Sequence, residues 1–267
     1  MASQTKSMPF IKNLASSDRK TRTAALESLR TFLSAKHISS ALSTLDILKL
    51  WKGLFFALWM CDRPLPQQAL CNDLADLIWI LPEPAVIPWL TGFWATMARE
   101  WTTGIDVLRM EKFLLLVRRM FGSSLVWMQV REAKKAKSPK KRAANGEMAT
   151  AATATVKFDK NRLVPVGLKL HALDIWVDEA EKAGMLEAGE GQDDGKKTED
   201  EALSGSEAFQ RLNDVVETLR STTLSKAVRI RSKESLADER LPGNQKEAGE
   251  DAEAGEGGDD DEWGGLD

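Results

Sequence analysis

Apolar residues fall into helical periods along this chain, and the densest of them lie between residues 44 and 128, where seven of the nine tryptophans sit. In LDILKLWKGLFFALWMCD, Leu45, Leu48, Trp51, Phe55 and Trp59 recur every three or four residues, and Leu54, Phe56 and Leu58 widen the surface they form. This spacing predicts a largely buried amphipathic helix. A helix so broadly apolar is stable only when neighbours cover it on more than one side, so it is expected at the centre of a helical array.

Start and stop signals frame the helices around it. Ser17 or Asp18 is expected to cap a helix with Ala25, Leu29, Phe32 and Leu33 on its inner face, ending near Lys36. Ser43 caps the central helix, and Asp46 three residues on resembles the second half of a capping box. A third helix is expected from about Pro66 to Ile80, a fourth from about Val86 to Trp101, and a long apolar fifth from about Asp106 to Val130. Pro165 starts another, which must dock on the array to bury Trp176, and a last amphipathic helix spans about Glu207 to Arg220.

With no alternating strand pattern, the fold class is all-α. The helix lengths fit a HEAT-like or irregular helical-hairpin array, with a disordered basic linker and an acidic C-terminal tail. The expected organisation is a disordered N-terminus (1–7), the array (8–130), a basic flexible linker (131–155) and a helix docking on the array (156–187). An acidic linker (188–202), a C-terminal helical segment (203–241) and an acidic disordered tail (242–267) complete it.

Charge sharpens this picture. The formal net charge of −3 divides into +5 over residues 1–130 and −8 over the remainder, so the tryptophan-rich part is basic. The N-terminal stretch shows no apolar signal region. The longest clean apolar run, Gly53 to Cys61, is far short of the roughly 20 residues of a membrane span, so no membrane partner is expected. Cys61 and Cys71 are the only cysteines and read as reduced, buried thiols.

Candidate chemistry is sparse. His37 and His171 are the only histidines and lie far apart, and no serine or cysteine sits in a nucleophile-elbow, triad or Cys-x-x-Cys context. Asp73 and Asp76 share a helix face, which reads as a solvated surface. No glycine-rich phosphate loop is present. No catalytic, cofactor-binding or metal-binding residue is therefore assigned, no cofactor or small-molecule substrate is expected, and the chain is read as a non-enzyme.

The cations offer more. Arg109, Lys112 and Arg119 share one sector of the long helix; Arg118 lies beside them in sequence but faces away on an ideal helix, which leaves a structural role as its alternative; and Arg19, Lys20 and Arg22 cluster at the start of the first capped helix. Such groups neutralise RNA phosphates, so these seven are the candidate RNA- or particle-binding residues. In KKAKSPKKR, the side chains of Lys134, Lys135, Lys137, Lys140, Lys141 and Arg142 form two basic clusters that suit a nuclear import signal.

Three strings also carry a family likeness: LDILKLWKGLFFALWMCDRPLPQQAL (Leu45 to Leu70), FWATMAREWTTGIDVLRMEKF (Phe93 to Phe113) followed by Arg118 and Arg119, and VPVGLKLHALDIWVDEAEKAG (Val164 to Gly184). In this order they resemble the core of the eukaryotic ribosomal RNA-processing protein 1 family, over about residues 8 to 187. The resemblance implies a nucleolar assembly factor of the early precursor of the 60S subunit, needed for processing internal transcribed spacer 2 and maturing the 5.8S and large-subunit RNAs. It implies as partners the pre-60S particle, pre-rRNA, other assembly factors and ribosomal proteins, with the domain a scaffold and not the nuclease. Partners recruited through the long basic C-terminal extensions of animal members do not carry over, because this chain ends in an acidic tail. Without the likeness, the helices fit equally a solenoid adaptor that binds peptides in a groove.

Overall fold

Short polar side chains and prolines set where the helices begin. The computed structural model describes residues 10–35, 42–136, 164–186, 199–242 and 244, with only the backbone described at 132–136 and 199–207. A short helix, α1 (Phe10–Leu14), precedes α2 (Arg19–Leu33), whose cap is Asp18, its carboxylate accepting the Thr21 N–H at 2.8 Å. At α3 (Thr44–Trp59) the Ser43 hydroxyl accepts the Asp46 N–H while the Asp46 carboxylate accepts the Ser43 N–H, so the capping box is complete. Next come α4 (Pro64–Ala75), the short α5 (Leu77–Ile80) and α6 (Glu83–Glu100). Prolines occupy the first turns of α4 and α6, where the amide hydrogen they lack has no intrahelical partner anyway. Asp106 caps a single 3-10 turn, Val107–Arg109, that leads into α7 (Met110–Ala136). Three helices follow: α8 (Val166–Lys182), α9 (Glu199–Thr222) and α10 (Lys226–Leu236). No strand occurs among the described residues, so the chain is all-α.

Several boundaries differ from expectation. The third helix starts at Pro64 and is interrupted at Asp76, after which α5 begins. The fourth starts at Glu83 and accommodates Pro88 within it. Within α3, Ile47 and Leu50 take inner positions, while Leu45, expected on the apolar stripe, is 60% exposed. The long helix continues past Val130 to Ala136, into the segment expected to be flexible, and its Arg131 is buried beside Glu83 of α6. Its Ala, Lys and Glu residues are good helix formers, so a basic run here extends a helix already nucleated.

The core forms where α3 crosses α6. The Trp51 ring lies 4.8 Å from the ring of Trp89 and 5.0 Å from that of Phe93, and its indole N–H donates to the Trp89 carbonyl at 3.0 Å. Gly92 permits this approach, since a Cβ there would stand 2.4 Å from Cγ2 of Ile47. α7 is the hub, touching α4, α5, α8 and α9. Phe113 of α7 stacks on Phe55 of α3 at 4.7 Å. His171 meets the Leu114 carbonyl, and Glu179 lies further along against Arg118, so α8 runs parallel to α7. Trp176 is 1% exposed and stacks on Phe209 of α9, which is how α8 docks. Spatial neighbours are often distant in sequence, as α3 with α6 and α4 with α7, unlike strict nearest-neighbour stacking in a solenoid.

Val107–Arg131 is long and apolar enough to cross a membrane by length and composition, although cations interrupt its apolar run. Here Phe113, Leu116, Val117 and Met120 of that stretch are buried among the surrounding helices.

Replacing Gly92 by Ala is expected to destabilise the fold by about 1–3 kcal/mol through overpacking. Adding Ile47→Ala removes the clashing Cγ2, so the double variant should lose less stability in urea melts than the two single changes together. Additive losses would show that the helices separate freely at this crossing.

Candidate nucleic-acid interface

The seven cations singled out by sequence do not form one surface, because four of them bind other parts of the chain. Lys112 is the clearest correction. It is 4% exposed, and its ammonium donates to the carbonyls of Trp59 (2.7 Å) and Cys61 (2.9 Å) and lies 3.3 Å from the Asp62 carboxylate. Carbonyls at a helix C-terminus lack intrahelical donors and carry partial negative charge, so a buried cation satisfies both needs. Burial pushes the Lys112 pKa down, opposed by the Asp62 hydrogen bond.

The other three are occupied on more accessible ground. Arg109 pairs with Asp106, and its guanidinium lies 4.8 Å from the centre of the Trp59 ring, a cation–π contact over a half-buried tryptophan. Arg118 donates to Glu179 and Asp178, both at 2.7 Å, joining α7 to α8. Arg22 donates to the carbonyls of Ser16 and Ser17 at 2.8 Å and of Met60 at 3.3 Å. Arg19, Lys20 and Arg119 remain exposed.

The carboxylates that receive these cations extend the network. Buried Glu179 also accepts from Lys182 at 2.9 Å. Asp178 accepts from Arg240 at 3.1 Å, and Arg240 reaches Glu181 at 2.7 Å, so the segment after α10 is tied to α8. Burial raises the Asp178 pKa, but hydrogen bonds from Arg118 and Arg240 outweigh it and hold the carboxyl below its usual range.

Residues considered for chemistry are likewise engaged. Burial, with the neighbouring Cys61 adding to it, pushes the Cys71 thiol up to about 12, and its S–H donates to the Lys112 carbonyl at 3.5 Å. His171 faces the Leu114 carbonyl at 3.0 Å, and burial lowers its pKa, which favours the neutral ring. Asp73 lies 3.6 Å from Arg30. His37 lies outside the described residues. Among the described residues, no group of three or more His, Cys, Asp and Glu side chains converges as metal ligands would. Of the basic import cluster, Lys134 and Lys135 fall in the last turn of α7, where only the backbone is described, and Lys137, Lys140, Lys141 and Arg142 lie outside the described residues.

Sequence reading missed one basic surface. On α10, Lys226, Arg229, Ile230 and Lys233 are all exposed at helical spacing, opposite the buried Val228 and Ser232. The Ser225 hydroxyl caps the helix by accepting the Val228 N–H. That serine three residues before a valine was the available signal.

Comparisons with known proteins give a consistent result. The family described as "Nucleolar protein, Nop52" matches residues 5–263. The mouse protein named Ribosomal RNA processing protein 1 homolog A is 34% identical over 177 residues, covering 65% of this chain and 34% of that protein. Human homolog B is 30% identical over 70% of this chain and 24% of its own length, and the Drosophila melanogaster homolog is 29% identical over 65% and 24%. The chain thus spans between 24% and 34% of these relatives' length.

Replacing Lys112 by Met should leave the Trp59 carbonyl without its donor, at about 1–3 kcal/mol for the unsatisfied group, while the Cys61 carbonyl keeps the Gln67 amide at 2.7 Å, and should lower the melting temperature clearly. Arg119→Glu should change stability by no more than about 0.5 kcal/mol, as exposed substitutions do. Equal melting of the two variants would contradict the capping role of Lys112.

Proposed function

We propose, because the chain belongs to the Nop52 family of nucleolar proteins, that it serves ribosomal RNA processing as a non-catalytic scaffold in the nucleolus. Its place is the early pre-60S particle, where it supports processing of internal transcribed spacer 2 and maturation of the 5.8S and large-subunit RNAs. Its partners there are pre-rRNA, other assembly factors and ribosomal proteins. The observation that carries this reading is a family match over nearly the whole chain, together with relatives named for ribosomal RNA processing. The way its polar groups are used supports the scaffold role. The buried Cys71 thiol is held protonated, His171 is bound to a carbonyl, and Lys112, Arg118 and Arg22 hold helix ends and helix pairs together. A rigid surface accelerates another factor's cleavage by holding a precursor in one geometry.

Tagged protein from a nuclear extract should sediment with 60S precursors and crosslink to spacer-containing RNA. Sedimentation only as free protein would overturn the assembly-factor role, and metal-dependent RNA cleavage by the homogeneous protein would overturn the non-catalytic one. Import is assigned to the basic cluster ending at Arg142. Changing Lys137, Lys140, Lys141 and Arg142 to Ala should shift the protein toward the cytoplasm without altering its melting, whereas continued nucleolar concentration would assign import to a partner or another segment.

A further inference from the structure

We propose that the outer face of α10 binds the phosphate backbone of RNA, an inference that rests on the RNA-scaffold reading and assigns it a surface. Lys226, Arg229 and Lys233 stand at positions i, i+3 and i+7 and so project from one side of the helix, around Ile230. The charges of this face are unspent, as are those of Arg19, Lys20 and Arg119, but here three of them share one side of one helix. Lys226 and Lys233 have no carboxylate partner among the described residues, and Arg229 donates only to the Thr223 carbonyl, at 3.3 Å, while remaining exposed. Arg231 projects to the side of this sector, where it pairs with Asp174 at 3.1 Å and Glu234 at 3.5 Å, so the nearby acids are taken up off the face. The three cations stand in contrast to Lys112, Arg118 and Arg131, each of which is bound to an acid of another element.

Geometry favours a nucleic-acid strand. From Lys226 to Lys233 the helix rises about 10 Å at 1.5 Å per residue, a length over which one duplex strand presents about three phosphates. The N-terminal amides of α10, of which the Ser225 hydroxyl takes up only that of Val228, place partial positive charge at the Lys226 end of the face. A lipid surface fits poorly, because an interfacial helix inserts its apolar side and the apolar side of α10 is buried in the protein at Val228. A protein partner fits less well, since this face offers only Ile230, 46% exposed, beside Leu224, 98% exposed, and no aromatic anchor. Contacts of this kind attach and orient RNA without reading its sequence.

The test uses the full chain, a structured stem-loop RNA and fluorescence anisotropy across a salt series. The variant Lys226→Gln, Arg229→Gln, Lys233→Gln should lose roughly tenfold in affinity at low salt, with the slope of log K against log salt shallower by about 2 to 3. Lys226→Gln and Lys233→Gln singly should each lessen the slope by about 1, and circular dichroism and melting should match the parent. Triple-variant binding within about twofold of the parent at an unchanged slope overturns this assignment, as does stronger retention of the parent on anionic vesicles than on RNA. Loss of a protein partner with RNA binding intact overturns it as well. If the unaltered chain fails to bind RNA at any salt, the RNA-scaffold reading falls too, which distinguishes that failure from the failure of this face alone.

Discussion

One ammonium group closes the end of the central helix. The Trp59 carbonyl that ends α3 has no donor within the helix, and Lys112 supplies one from α7, reaching also the Cys61 carbonyl just beyond the helix and lying against Asp62. Its neighbours in the chain are thereby placed. Phe113 stacks on Phe55, Arg109 covers Trp59, and the Lys112 carbonyl receives the Cys71 thiol from α4. The same logic recurs along α7. Arg118 ties it to the acids of α8, and Arg131 reaches Glu83 of α6 at 2.7 Å while lying over Trp127. A helix that is apolar on most of its circumference still carries cations, and Lys112, Arg118 and Arg131 each meet an acceptor on another segment, while Arg119 stays exposed.

That arrangement explains what the sequence could and could not convey. The caps at Asp18 and Ser43, the burial of Trp51 and the docking of Trp176 were legible because each depends on local spacing or on the simple need to cover a large apolar side chain. The family was legible too, from the three strings between Leu45 and Gly184. The role of Lys112 was not, whereas Arg118 could be read as structural because it faces away from the sector of Arg109, Lys112 and Arg119, though without its partners Asp178 and Glu179. Charged residues on an amphipathic helix are assigned to its solvated face, but α7 has neighbours on several sides and so little solvated face to offer. Whether such a cation is spent inside depends on which carbonyls and carboxylates distant segments bring to it, a tertiary fact with no local signature.

Weak hydropathy hid α10 for the opposite reason. Its packing needs little beyond Val228, Ser232 and a serine cap, so most of its residues are free to be charged. Its basic residues therefore resemble solvated punctuation when read in one dimension. In three dimensions they form a face held to the array by the Arg231–Asp174 pair and, just beyond the helix, by Arg240 bound to Asp178 and Glu181.

Rigidity then acquires a functional meaning. Phosphate contacts carry no base information, so a surface of isolated cations discriminates among RNAs only through the distances at which it holds them. Those distances are set by the interior. The Trp51–Gly92 crossing fixes α3 against α6, Lys112 fixes α3 against α7, and Arg118 fixes α7 against α8, on which α10 packs. A flexible chain with the same charges would adapt to any polyanion, at an entropic cost for each contact formed. A fixed array meets that ordering cost during folding and favours an RNA whose phosphates already lie at matching separations. On the scaffold reading, the internal use of so many cations is therefore what lets the remaining exposed ones select a geometry.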